Sequence, residues 1–268
     1  MRLLTPILPN AAAPLGRANP VAKLAAALVL LIALFVSLDG VTAAIILLAL
    51  VALLPASGLS VRTLVARAWL VGLAALSIGV FNVLFAAEQV GPTVVALGPL
   101  RIGAETLSDG AGLSLRLLAI AVAGLLATAT SEPIDVADAL VQQLRVSPRF
   151  AVGVLAALRL LPILAQEWQV LGMARRARGV EAGRSPFAAV GLFAGRMLSL
   201  LVGAIRRGSR MALAMEARGF GALPCRSVAR PQRMRASDWS WILGAAVLGA
   251  SAVAVSVALG TWRPLIGT

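Results

Sequence analysis

Apolar residues run almost unbroken over five stretches, at about 20–38, 41–59, 68–87, 111–130 and 239–259. Each approaches the roughly 20 helical residues needed to cross a hydrocarbon core about 30 Å thick. The first two are short for that task. Only Asp39 and Gly40, a turn-forming pair, separate them, which predicts a tight helical hairpin. Between the fourth and fifth stretches the pattern becomes amphipathic and predicts three helices. In the first of these, Ile134, Ala137, Val141 and Leu144 share one face, and Asp135, Asp138, Gln142 and Arg145 the other. Thr130 or Ser131 is its candidate N-cap, with Pro133 early and Asp135 in the opening turn. The second runs over about 149–178, with Arg159, Gln166, Gln169 and Arg176 in a polar stripe. Pro162 lies inside it and should kink it, because proline lacks the amide donor and crowds the carbonyl of Leu158. The third runs over about 186–218, opening near Ser185 and Pro186, with a stripe of Arg196, Ser199, Gly203, Arg206 and Arg210.

These elements predict an all-α, polytopic membrane protein with about five transmembrane helices. Residues 1–130 form a four-helix membrane region, 131–238 a cytoplasmic three-helix region inserted between helices four and five, and 239–268 the last transmembrane helix. Composition agrees, since 60% of residues are hydrophobic and only 13% charged, far from an ordinary soluble domain.

The formal net charge of +13 takes its meaning from where the charges sit. Arg2, Arg17 and Lys23 precede or open the first span, Arg62 and Arg67 follow the second, and sixteen Lys and Arg fall in 131–238. The opposite loops hold Asp39 on one side, and Glu88, Arg101, Glu105 and Asp109 in the stretch 88–110. The positive-inside rule therefore places the N-terminus in the cytoplasm and the C-terminus outside. Trp69, Trp239, Trp241 and Trp262 stand at expected helix ends, as interfacial aromatics do. With Pro6, Pro9 and Pro14 before the first apolar stretch, no cleavable leader is expected, and that stretch itself directs insertion. Cys225 is the single cysteine and is expected to be a reduced thiol.

The second and third amphipathic helices are apolar enough that a further membrane hairpin is the competing reading. It would set Arg159 and Arg196 in mid-membrane, at roughly 2.5–3.5 kcal/mol each. Packing against each other beneath the spans costs less. Each of these helices ends in the same tripeptide, Ala177-Arg178-Gly179 and Ala217-Arg218-Gly219. Glycine after a periodic run suits a left-handed C-terminal cap, and an arginine in the last turn can satisfy free carbonyls for about 0.3–1 kcal/mol. Two copies forty residues apart point to a shared use. A slim helix tip would present a planar donor fork to a partner carboxylate. Arg175 and Arg176 beside the first copy, and Glu216 beside the second, either orient the tips or are solvated.

At these residues the chain resembles the membrane-embedded T-component of energy-coupling-factor transporters, the bacterial importers of vitamins and transition-metal ions. The segments that carry the resemblance are Asn19-Pro20-Val21-Ala22-Lys23-Leu24, Thr130-Ser131-Glu132-Pro133 with Asp138-Ala139-Leu140, Leu158-Arg159-Leu160-Leu161-Pro162, Ala177-Arg178-Gly179, and Ala214-Met215-Glu216-Ala217-Arg218-Gly219. The last is the most specific. The resemblance implies a multi-pass subunit of the bacterial cell membrane that hydrolyses nothing itself and needs no cofactor. It would join two cytoplasmic ABC-type ATPases to one small membrane subunit that binds the substrate. Arg178 and Arg218 would each dock into a groove on one ATPase, while the apolar faces of the three cytoplasmic helices grip the substrate-binding subunit.

Rival functions fare worse on the residues. An intramembrane enzyme lacks support from a chain with no His, no Tyr and no Cys or His cluster. Arg116 and Asn82 are the conspicuous polar groups in the spans; the first is expected to snorkel or pair with Asp109, the second to bond between helices, as Lys23 is expected to snorkel. A channel or secondary transporter would show buried ionisable groups along a path or repeated halves. Nucleic acid is not an expected partner, because the arginines scatter around apolar helices without a stacking platform. Membrane lipid is the expected contact of Arg226, Arg230, Arg233 and Arg235.

Overall fold

The computed structural model describes residues 13–86, 91–97, 100–180, 183, 185–220 and 231–262. The short α1 (Pro14–Arg17) leads into α2 (Pro20–Val36), α3 (Gly40–Ala52), α4 (Leu54–Ser57) and α5 (Val61–Leu84). Two strands, β1 (Thr93–Leu97) and β2 (Leu100–Gly103), precede α6 (Ala104–Ala129), α7 (Pro133–Gln143), α8 (Pro148–Ala177), α9 (Pro186–Ala217) and α10 (Ala236–Ala258). The described residues are all-α apart from that antiparallel hairpin. The chain divides into two compact units, one of residues 1–139 with 232–268 and one of residues 140–231.

In the first unit α6 is central, packing on α2, α3 and α5, while α10 packs on α2 and α3. Ala119, Val122, Ala123 and Leu126 on α6 meet Leu30 and Leu34 of α2 and Ile46 and Leu50 of α3 in the buried core. Close approach depends on glycine, as membrane helix contacts generally do. A Cβ on Gly79 of α5 would lie 2.5 Å from the carbonyl oxygen of Gly110, and one on Gly112 would lie 3.1 Å from the backbone of Gly40. Large apolar side chains such as Leu48, Leu76, Phe81 and Val247 are exposed on the outside. That suits lipid rather than water.

Helix lengths depart from the expected spans. Among the described residues, α6, α8, α9 and α10 are long and apolar enough to cross a membrane, whereas Pro20–Val36, Gly40–Ala52 and Ala68–Leu84 are apolar but shorter. α2 stops because the Asp39 side chain accepts from the amide of Thr42 (2.7 Å) and starts α3 anew. α3 gives way to α4, with Pro55 in its first turn and Gly58 closing it at φ 70°. The stretch 88–110, expected as a plain loop, holds both strands and the first turns of α6, with Thr93 paired to Gly103 and Leu97 to Leu100. Thr93, Val94 and Val95 are β-branched and favour that conformation.

Three polar expectations for the spans are corrected. Lys23 does not snorkel. Only 4% exposed, it donates to the carbonyl of Thr130 (2.7 Å) at the end of α6. Arg116 is half-buried, and its guanidinium donates to the carbonyl of Ser37 (2.6 Å) in the α2–α3 turn rather than to Asp109. Asn82 is exposed on α5, without a side-chain hydrogen bond to another described residue. The candidate caps Thr130 and Ser131 donate backwards instead, to the carbonyls of Leu126 (2.7 Å) and Ala127 (2.9 Å).

Candidate docking site

α8 and α9 form the body of the second unit. Ser185 caps α9 by accepting from the amide of Ala188 (3.3 Å), and Pro186 opens it. α8 begins at Pro148 and continues through Pro162 to Ala177. The two helices are antiparallel, since later residues of α8 meet earlier residues of α9. Glu167 pairs with Arg207, Trp168 stacks edge-on with Phe193 at 5.2 Å, and Arg175 donates to the carbonyl of Leu192 at 3.0 Å. Glycine again permits the contact: a Cβ on Gly172 would lie 3.3 Å from the Arg196 guanidinium, and one on Gly195 3.2 Å from that of Arg175.

The two Ala-Arg-Gly ends adopt one geometry. Arg178 sits at φ −90°, ψ 8° and Arg218 at φ −88°, ψ 7°. Gly179 and Gly219 follow at φ 71° and φ 72°, left-handed values that favour glycine. The amide of Gly179 donates to the carbonyl of Arg176 (2.9 Å) and that of Val180 to Arg175 (3.0 Å). The second end repeats this, from Gly219 to Glu216 (2.9 Å) and from Phe220 to Met215 (3.0 Å). This paired arrangement is the Schellman motif, and it satisfies carbonyls that a helix end otherwise leaves open.

The cap alone is not distinctive, because α10 ends with the same bonds, from Gly260 to Val257 (3.0 Å) and from Thr261 to Ser256 (3.1 Å). Leu259 stands there in place of arginine. What separates the α8 and α9 ends is the side chain at the cap. Arg178 and Arg218 are both exposed and make no side-chain hydrogen bond or ion pair with another described residue. Carbonyl satisfaction falls to backbone amides, so these guanidinium groups are not consumed by capping. Arg176 and Glu216 are exposed as well, whereas Arg175 is engaged with α9.

Because α8 folds back along α9, the tips lie at opposite ends of the pair. Arg178 sits at the closed end, and Arg218 at the free end of a 32-residue helix. At 1.5 Å per residue the separation is on the order of 40 Å. The reading from residues alone found both arginines but missed Val180 and Phe220, whose amides close the caps; the apolar residue directly after each glycine is the signal that identifies them. Cys225, Arg226 and Arg230 lie outside the described residues.

The cobalt transport protein family matches residues 11–227. The energy-coupling factor transporter transmembrane protein EcfT of Heliobacterium modesticaldum is 34% identical over 160 residues, covering 56% of this chain and 59% of that protein. The protein of the same name from Bacillus subtilis is 29% identical over 168 residues, covering 60% and 63%, and that from Listeria innocua 30% over 168 residues, covering 59% and 63%. The matched stretch thus spans about three-fifths of these relatives. The chain belongs to the cobalt transport protein family, as a transmembrane T-component of the energy-coupling-factor transporter type.

Proposed function

We propose that this chain is the non-catalytic coupling scaffold of an ATP-driven importer. Two cytoplasmic ATPase subunits dock on the tips, Arg178 on one and Arg218 on the other. A small membrane subunit that binds the cargo, a vitamin or a transition-metal ion, is held by the apolar faces of α7, α8 and α9. The N-terminus is cytoplasmic, residues 131–238 face the cytoplasm between the fourth and fifth spans, and the assembly works in a bacterial cell membrane.

One observation carries this reading: two unengaged arginines cap helix ends of the same geometry at opposite ends of one antiparallel pair. A separation of about 40 Å exceeds a single binding groove, so each tip requires its own. A guanidinium fork on a slim end capped by glycine suits a carboxylate inside such a groove. Stiff helices carry ATPase movement along their length, and exposed Phe187, Val190, Leu198 and Leu213 supply a surface on which a membrane partner can slide. Pro162 gives α8 a place to bend.

The supporting experiment is affinity purification of the tagged full chain from its native membrane in mild detergent, with partners identified and quantified by mass spectrometry. Two ATPase copies and one small hydrophobic subunit per chain are expected. A stable chain recovered without any ATPase would overturn the proposal.

A further inference from the structure

Beside the closed end of the α8–α9 pair lies an open pocket of about 580 Å³, lined by Trp168, Arg176, Val180, Leu192, Phe193 and Arg196 among others. Its arginines have no acidic partner among the described residues. Arg196 stacks 5.6 Å from the centre of the Trp168 ring, its Nε is buried with no hydrogen-bond partner, and it makes no hydrogen bond to a described residue. Arg176 is exposed and likewise unpaired. Among the described residues the lining contains no acidic side chain. A buried guanidinium nitrogen without an acceptor is costly, and a second, exposed guanidinium in the same concavity adds to the pull on an anion with several acceptor oxygens.

The surroundings identify that anion. Fourteen of the 24 Lys and Arg residues fall in 140–231, against three acidic residues. The pocket lining also carries exposed apolar side chains, Phe193 and Val180, at 56% and 43%. A soluble anion, or an acidic side chain in water, gains nothing from such a lining. A phosphodiester with acyl chains gains from both parts. Basic pockets between membrane-associated helices hold anionic headgroups in this way, with apolar faces sunk into the acyl boundary. We propose that the α8–α9 pocket binds the phosphate of an anionic phospholipid, with Arg196, held flat by Trp168, and Arg176 as its two forks and the acyl chains lying against Phe193 and Val180.

This site is separate from the tip arginines and does not rest on their docking. It is tested on the full-length chain in detergent by native mass spectrometry, with phosphatidylglycerol and phosphatidylcholine of matched acyl chains. Wild type should retain phosphatidylglycerol preferentially, Arg196→Gln should weaken that retention about tenfold, and Arg196→Lys, which keeps charge but loses the fork, should fall between. Arg176→Gln, on the exposed side, should weaken it too and serves as the readout if Arg196→Gln does not fold. Arg178→Gln should leave it unchanged. Equal retention of the two lipids, or full retention by folded Arg196→Gln and Arg176→Gln, overturns the proposal. So does displacement of the lipid by equimolar glycerophosphoglycerol, which would assign the pocket to a soluble anion, or by an equimolar glutamate-rich peptide, which would assign it to a protein partner.

Discussion

The Lys23 ammonium is almost fully buried and donates to the carbonyl of Thr130, just beyond α6, with Asp135 and Asp238 near enough to act on its charge. Asp238 is itself buried, accepting from the amides of Asn19 (2.9 Å) and Arg235 (2.7 Å). One polar knot therefore joins the starts of α2 and α10 to the end of α6. Lys23→Met removes the cation, leaves the Thr130 carbonyl without its donor and takes a neighbouring positive charge from Asp135 and Asp238, so thermal unfolding in detergent should show a loss of about 3 kcal/mol. An unchanged melting temperature would contradict the role. At the other ends of the helices, burial raises the affinity of Asp39 for a proton, but hydrogen bonds from Ser37, Thr42 and Ser256 outweigh it and hold the carboxyl below its ordinary range. A depressed folded value means that the stabilisation is complete above the unfolded carboxylate's value, about 4, and disappears as pH falls through the folded one. Melting curves from pH 7 to 3 should therefore decline below about pH 4, and Asp39→Asn should flatten that decline. That knot could not be read from sequence, since Lys23 and Thr130 are 107 positions apart and Asn19 and Asp238 are 219 apart. The turn at Asp39 was legible because Ser37 and Thr42 are local, whereas its bond with Ser256 was not.

Periodicity located most helices, and the caps of α8 and α9 followed from glycine after an apolar run. Length was less legible, because where a helix stops depends on a single capping side chain rather than on hydropathy. The strands Thr93–Leu97 and Leu100–Gly103 escaped notice for a related reason: short apolar runs between membrane-grade segments carry little periodicity of their own. The amphipathic stripes of α8 and α9 were visible, yet both helices also satisfy the length and apolarity of a span. Topology separates these readings cleanly. An antiparallel pair that crossed the bilayer would leave the two tips on opposite sides, whereas a coupling pair keeps both in the cytoplasm. In a Cys225→Ser background, Ala177→Cys and Ala217→Cys, both at exposed positions, should react with an impermeant maleimide only in inside-out vesicles. Labelling of the 177 position in intact cells would refute the cytoplasmic placement.

Over the whole molecule, the two units contrast in what they bury. The first encloses a core around α6, while α9 has no buried residue and α8 only Ala151 and Gly172. An apolar helix pair of this length cannot remain bare in water. It calls for membrane, partner subunits or both, and in the proposed function its two arginine tips are the partners' fixed points. Arginine at the centre of an interface commonly carries a disproportionate share of binding energy. The decisive measurement is co-purification of the ATPases, together with substrate uptake, for Arg178→Ala, Arg218→Ala and the double substitution in the full complex. Each single change should weaken ATPase retention, and the double change should abolish it and reduce uptake at least about tenfold, with the chain still folded in the membrane. ATPases recovered at wild-type stoichiometry with undiminished uptake in the double variant would show that the tips are ordinary helix caps and would contradict the account.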